Sequence, residues 1–143
     1  MTRVSRTPAY PLATHSWLQF GLLLGISGFF LMGGIGHFAL ARFFVAIVPA
    51  YIPEPRLMVA ISGTCELLGA VGLLWPRSRR VAGIGLLLLI VAVFPANLNM
   101  ALHAAQFPAF APWMLYLRLP LQLVLLAWVV SAVGLRRHGK GIP

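Results

Sequence analysis

The sequence predicts an all-α protein of the membrane: a four-helix bundle with an apolar interfacial segment between its first and second helices. Three observations carry this prediction. Of the 143 residues, 60% are apolar and only 9% are charged, whereas soluble domains average about 25% charged residues. The mean hydropathy is +0.91. The apolar residues also form four stretches, each close to the roughly 20 residues with which a helix crosses a bilayer core.

The four predicted spans take up over half of the chain and leave no room for a soluble domain. We therefore expect residues 1–143 to form a single transmembrane domain. The apolar stretch of the first span is too long for a signal peptide and no cleavage site follows it, so we expect it to be retained. The spans are residues 17–36, 57–75, 81–102 and 113–134.

The connection between the first and second spans is unusually apolar for a loop. Phe43, Phe44 and Ile47 are among the large apolar residues that precede Pro49. A contiguous apolar surface of this kind is seldom exposed to water. We expect the segment either to lie along the membrane interface as an anchor or to fold over the bundle as a lid.

Two spans contain a formal charge: Glu66 lies in the second and Arg118 in the fourth. An ionised group at the bilayer centre costs about 2.5–3.5 kcal/mol on insertion scales, so each should face a partner or a cavity. Both helices run inward from the same side, which brings the two residues into the same half of the membrane. The sequence predicts that Glu66 and Arg118 form an ion pair. Such a pair can also serve solely to fix helix register, and that alternative stays open.

Further polar residues fall at a similar depth in all four spans. Ser62 and Glu66 are four residues apart, as are Arg118 and Gln122, and this spacing places each pair on one helix face. We therefore predict a polar pocket that opens outward above an apolar inner half. No catalytic residue and no set of metal ligands follows from the spacing. The predicted ligand-binding residues are His37, Ser62, Glu66, Asn97, Arg118 and Gln122.

Prolines interrupt two of the spans. Pro95 and Pro120 each lack a backbone N–H and displace the carbonyl group four residues earlier, at Val91 and Tyr116. Carbonyl groups freed inside a membrane need donors. Asn97, Arg118 and Gln122 are near enough in the sequence pattern to supply them, in a structural role as well as in a ligand-binding one.

Glycines are concentrated on the first three spans, where we expect close helix packing. Gly21 and Gly25 form one GxxxG pair. A single pair of this kind is common in membrane helices and does not establish a dimer. A homo-oligomer therefore stays an open alternative.

The basic residues predict the orientation. Eight of the eleven Lys and Arg residues precede the first span, join the second to the third, or follow the fourth, whereas Arg42 and Arg56 lie on the opposite side. Basic loops stay in the cytoplasm, so both termini are predicted to be cytoplasmic in the inner membrane. The net charge of +9 reflects this topology, and no nucleic-acid partner is expected.

Four strings mark the polar positions: GHF at 36–38, SGTCELLG at 62–69, VFPAN at 93–97 and RLPLQ at 118–122. These strings resemble the DoxX-like family of small four-helix integral membrane proteins. The resemblance extends over about residues 17–128. It implies a four-helix bundle in the cytoplasmic membrane, and some members of that family are associated with thiosulfate-to-quinone electron transfer or with membrane oxidoreductase complexes.

The sequence is compatible with two functions of different classes. The first is an accessory subunit of a membrane redox system that binds a quinone-like or other amphiphilic ligand, because a quinone head needs hydrogen-bond donors and a nearby ionisable group. Cys65 is the only cysteine and the chain has no haem-attachment motif, so we expect no intrinsic cofactor and assign the electrons to a redox partner. The second is a non-enzymatic scaffold or small-solute transport protein held together by the ion pair.

Overall fold

The computed structural model describes residues 13–134, and the regular structure in this range is entirely helical, as predicted. The terminal basic residues Arg3, Arg6, Arg136, Arg137 and Lys140, on which the orientation partly rests, lie outside the described residues. The six helices are α1 (Ala13–Ala39), α2 (Ala41–Ile47), α3 (Pro55–Leu74), α4 (Arg79–Ala92), α5 (Phe94–Leu102) and α6 (Pro112–Val133), with a 3₁₀ turn at Ala104–Gln106.

Four stretches of helix are long and apolar enough to cross a membrane: Trp17–Ala39, Pro55–Leu74, Arg79–Leu102 and Pro112–Val133. They match the predicted spans to within a few residues. The first residue of α3 and of α6 is proline. The N–H groups in the first turn of a helix have no partner within the helix, so the missing N–H of proline costs no hydrogen bond there. The chain is therefore a small multi-pass membrane protein.

The four spans form a closed ring. Helix α1 packs against α3 and α6, and α4 packs against the same two helices from the other side. Their shared core is apolar and includes Ile26, Leu73, Leu86 and Val129, which are almost completely buried. Many large apolar side chains remain on the outer surface, as expected for a bundle that faces acyl chains.

Helices α1 and α3 approach so closely that their backbones touch. A Cβ atom at Gly63 would lie 2.7 Å from the Cβ of His37, and one at Gly34 would lie 2.9 Å from the carbonyl oxygen of Gly63. Glycine is required at both positions because any side chain would force the helices apart. The predicted glycine packing is confirmed at this contact, whereas Gly21 and Gly85 face no other group within 4 Å among the described residues.

The third span is broken in two at Val93. Pro95 occupies the first turn of α5, and the carbonyl oxygen of Ile90 accepts a hydrogen bond of 3.0 Å from Nε2 of Gln122. The sequence correctly predicts an interruption and a polar side chain that satisfies it. The accepting carbonyl belongs to Ile90 and not to Val91. Helix α6, in contrast, continues through its internal proline.

Helix α2 packs over one end of the bundle, as the lid alternative predicts, and its placement along the membrane interface stays a prediction. Ile47 is buried against Met100, Phe107 and Leu115. Nδ2 of Asn99 donates a hydrogen bond of 3.0 Å to the carbonyl oxygen of Ile47. We call this region, formed by α2 and the connection between α5 and α6, the α2 end.

We expect Gly63→Ala to lower the free energy of unfolding by about 1–3 kcal/mol, because the new methyl group overpacks the contact between α1 and α3. Gly85→Ala is the matched control, since its methyl group points into open space and alanine favours helix. Unfolding in detergent micelles measures both. If Gly63→Ala and Gly85→Ala lowered the free energy of unfolding equally, the result would contradict the close approach of α1 to α3.

Candidate ligand-binding cavity

A cavity of about 350 Å³ lies between α1, α3 and the break between α4 and α5, beneath the α2 end. Its volume falls within the range of small-molecule sites, about 300–1,000 Å³. Apolar side chains such as Phe30, Val59 and Leu125 form most of the wall. We call it the main cavity. Five of the six predicted site residues line it: His37, Ser62, Glu66, Asn97 and Gln122.

Glu66 pairs with His37 across the contact between α1 and α3. Oε2 of Glu66 lies 3.3 Å from Nδ1 of His37. The same Nδ1–H donates a hydrogen bond of 2.9 Å to the carbonyl oxygen of Gly33, and the imidazole stacks on the ring of Phe44 at 4.0 Å between centroids. A Cβ atom at Gly33 would lie only 2.7 Å from Oε2 of Glu66. The glycine therefore makes the room that the carboxylate occupies.

The predicted ion pair between Glu66 and Arg118 is wrong. The guanidinium carbon of Arg118 lies 5.9 Å from the ring centroid of Phe43 and 5.8 Å from that of Phe110, and Arg118 does not line the main cavity. The α2 end brings both rings over the beginning of α6, and an aromatic face attracts a guanidinium group. Arg118 is thus engaged at the α2 end, while Glu66 faces α1.

Sequence reasoning missed the pair between His37 and Glu66, although a signal was present. Gly33 and His37 are four residues apart and share one face of α1. A glycine next to a polar residue on a membrane helix indicates a close neighbour that can reach that polar residue. No sequence pattern indicated that Phe44 would stack on His37, because this contact depends on how α2 packs on the bundle.

Two buried oxygen atoms of the cavity residues have no hydrogen-bond partner among the described residues: Oε2 of Glu66 and Oε1 of Gln122. The Nδ1–H of His37 is directed at Gly33, so its contact with Oε2 is electrostatic only. Gln122 is only 6% exposed. A buried acceptor without a donor costs about 1–3 kcal/mol. Both unpaired atoms belong to residues that line the cavity, but the atoms themselves are buried.

The main cavity is open toward the outer surface of the bundle. Helix α3 packs along α4, whereas α5 packs against α6 and α2. Met58, Ile61 and Ala92 line the cavity and are also exposed.

Residues 26–133 match the family described as Domain of unknown function (DUF8561). The chain belongs to this family. The matched range of the DUF8561 protein contains all six predicted site residues and every helix from the middle of α1 to the end of α6. Comparison with curated proteins and with solved structures gave no match.

We expect two double-mutant cycles on the free energy of unfolding to separate the observed pair from the originally predicted one. His37→Gln with Glu66→Gln should give a coupling of about 0.5–3 kcal/mol, because the two side chains are in contact. Arg118→Leu with Glu66→Gln should be additive to within about 0.5 kcal/mol. A coupling above about 0.5 kcal/mol in the second cycle would support the ion pair between Glu66 and Arg118 and contradict the structure.

Proposed function

We propose that this DUF8561 protein is a small membrane subunit that binds a quinone-like, ring-headed amphiphile in the main cavity. The observation that carries the proposal is the arrangement of this cavity: a largely apolar wall, five polar side chains and a lateral opening toward lipid. Sites for small molecules combine an apolar lining with a few placed polar groups in the same way.

The polar side chains suit the head of such a ligand. Ser62 and Asn97 supply a hydroxyl and an amide group, and Glu66 supplies an ionisable group. Phe30 and Phe44 also line the cavity, and aromatic side chains pack favourably against an aromatic ring. A flat ring with polar substituents therefore matches the wall better than a linear headgroup.

The apolar side of the cavity suits a tail. Ile61 is 46% exposed and Met58 36% exposed, and both also line the cavity. A tail that leaves between them and Ala92 stays in an apolar environment along its whole path. A small soluble solute would gain nothing from this opening.

The redox role is proposed for a complex and not for the chain alone. The resemblance of VFPAN and RLPLQ to the DoxX-like family supports a place beside a membrane or peripheral redox protein. With a single cysteine, the chain offers no thiol relay. Electrons would pass between the bound ring and that partner, and the DUF8561 protein would hold the ring.

We also propose that the protein resides in the cytoplasmic membrane with both termini in the cytoplasm. The distribution of Lys and Arg supports this orientation. It places the α2 end with Arg42, and the beginning of α3 with Arg56, on the opposite side. The main cavity then lies nearer that side.

The scaffold alternative loses its main support. It relied on an ion pair between Glu66 and Arg118, and these residues are engaged with different partners. The pair of His37 and Glu66 still ties α1 to α3, but it lies on the wall of a cavity. A scaffold without a ligand therefore becomes one outcome of the following test.

We expect a ring-headed amphiphile to copurify with the protein when it is extracted from its native membrane and the retained small molecules are identified by mass spectrometry. Ala92→Phe should remove most of this ligand, because the new ring blocks the lateral opening. Ala127→Phe is the matched control, since Ala127 is exposed on α6 and does not line the cavity. Retention of only bulk phospholipid, or equal retention in both variants, would favour the scaffold.

A further inference from the structure

We propose that the protein binds the phosphate group of an anionic ligand with Arg42 and Arg56. Both residues line a second cavity of about 370 Å³, which is formed by the end of α1, by α2 and by the beginning of α3. We call it the arginine cavity. It shares only His37 and Val59 with the main cavity. The proposal goes beyond the proposed function, because it requires no ligand in the main cavity.

The two arginines are accessible to a ligand and carry charges that no acidic side chain neutralises. Arg42 and Arg56 are exposed. The whole chain contains only two acidic residues. Glu66 pairs with His37, and Glu54 forms no ion pair with either arginine within the part of the chain that the structure describes. The arginine cavity therefore keeps two positive charges.

Two guanidinium groups at one cavity suit a phosphate group. The planar N–H fork of arginine matches the spacing of phosphate oxygens, and a phosphate group has acceptor oxygens for both residues. Arg56 is also the second residue of α3, and the side chain of the N-cap residue, Glu54, makes no capping hydrogen bond. The unpaired N–H groups and the dipole of α3 add positive potential at this end of the helix. An anion is therefore favoured here.

The arginine cavity lies at one boundary of the membrane. The span that contains α1 ends at Ala39 and the next span begins at Pro55. Arg42 thus follows the first span closely, and Arg56 stands at the start of the second. The end of one span and the start of the next lie on the same side of the bilayer, where the phosphate groups of lipids surround the hydrocarbon core.

The remaining wall of the arginine cavity favours a lipid as the source of the phosphate group. Phe38, Val45 and Val59 line it, and Phe38 is 51% exposed. A lipid can place its phosphate group on the arginines and its glycerol and upper acyl chain on these apolar side chains. A free phosphate ion would contact the arginines alone.

The test uses the full-length protein in a detergent without phosphate, and native mass spectrometry measures the affinity of the first bound lipid. The two probes are phosphatidylglycerol and phosphatidylcholine with identical acyl chains. We expect phosphatidylglycerol to bind at least about fivefold more tightly, because the choline cation of the other lipid cancels the charge that the arginines attract. Equal affinities of the two lipids would overturn the proposal.

Arg42→Gln combined with Arg56→Gln should lower the affinity for phosphatidylglycerol at least about tenfold. Arg77→Gln combined with Arg80→Gln is the matched control, because it removes the same charge from two exposed arginines that line neither cavity. An unchanged affinity in the first variant, or an equal loss in both, would overturn the assignment. Should a variant fail to fold, the two lipids on the unmodified protein still decide the proposal.

Competition with inorganic phosphate distinguishes the two sources of the phosphate group. Phosphatidylglycerol that excess phosphate does not displace identifies a lipid headgroup as the ligand, whereas displacement identifies the free ion as a ligand of the same residues. Both results support the site. Sodium chloride at the same ionic strength is the control for screening. If chloride displaced the lipid as well as phosphate does, the result would overturn a site for phosphate.

Discussion

The contact between α1 and α3 is the constraint on which the rest of the site depends. Gly34 and Gly63 let the two backbones touch, and Gly33 leaves space for the carboxylate of Glu66. In lipid, where apolar side chains gain little from leaving their solvent, such close packing is a main source of helix association. It also decides the chemistry, because it places the acidic group of α3 against His37 and on the wall of a cavity.

The docking of α2 has an equally large effect on the character of the site. By packing on the bundle through Ile47, α2 brings Phe43 over Arg118 and Phe44 onto the ring of His37. The first contact removes a cation from the neighbourhood of Glu66. The second immobilises the imidazole. The cavity therefore lacks the guanidinium group expected in it.

Gln122 shows how a backbone defect and a binding site can share one residue. The break before Pro95 exposes a carbonyl group in the interior of the bundle, which must find a donor. Gln122 provides it with one end of its amide and presents the other end without a partner in the described residues. After the break, α5 packs against α6 and α2.

The sequence by itself determined the four spans to within a few residues and placed one charged residue in each of the second and fourth. Each of these is a local matter, since a bilayer selects apolar length and charge position along a single helix. It also correctly grouped five of six residues around one cavity. Which side chains meet was decided only by the tertiary structure. The sequence constrains the position of a residue along the helix axis. Its partner also depends on the rotation of the helix and on the neighbouring segments. These two factors turned Glu66 toward His37 and placed Arg118 against Phe43 and Phe110.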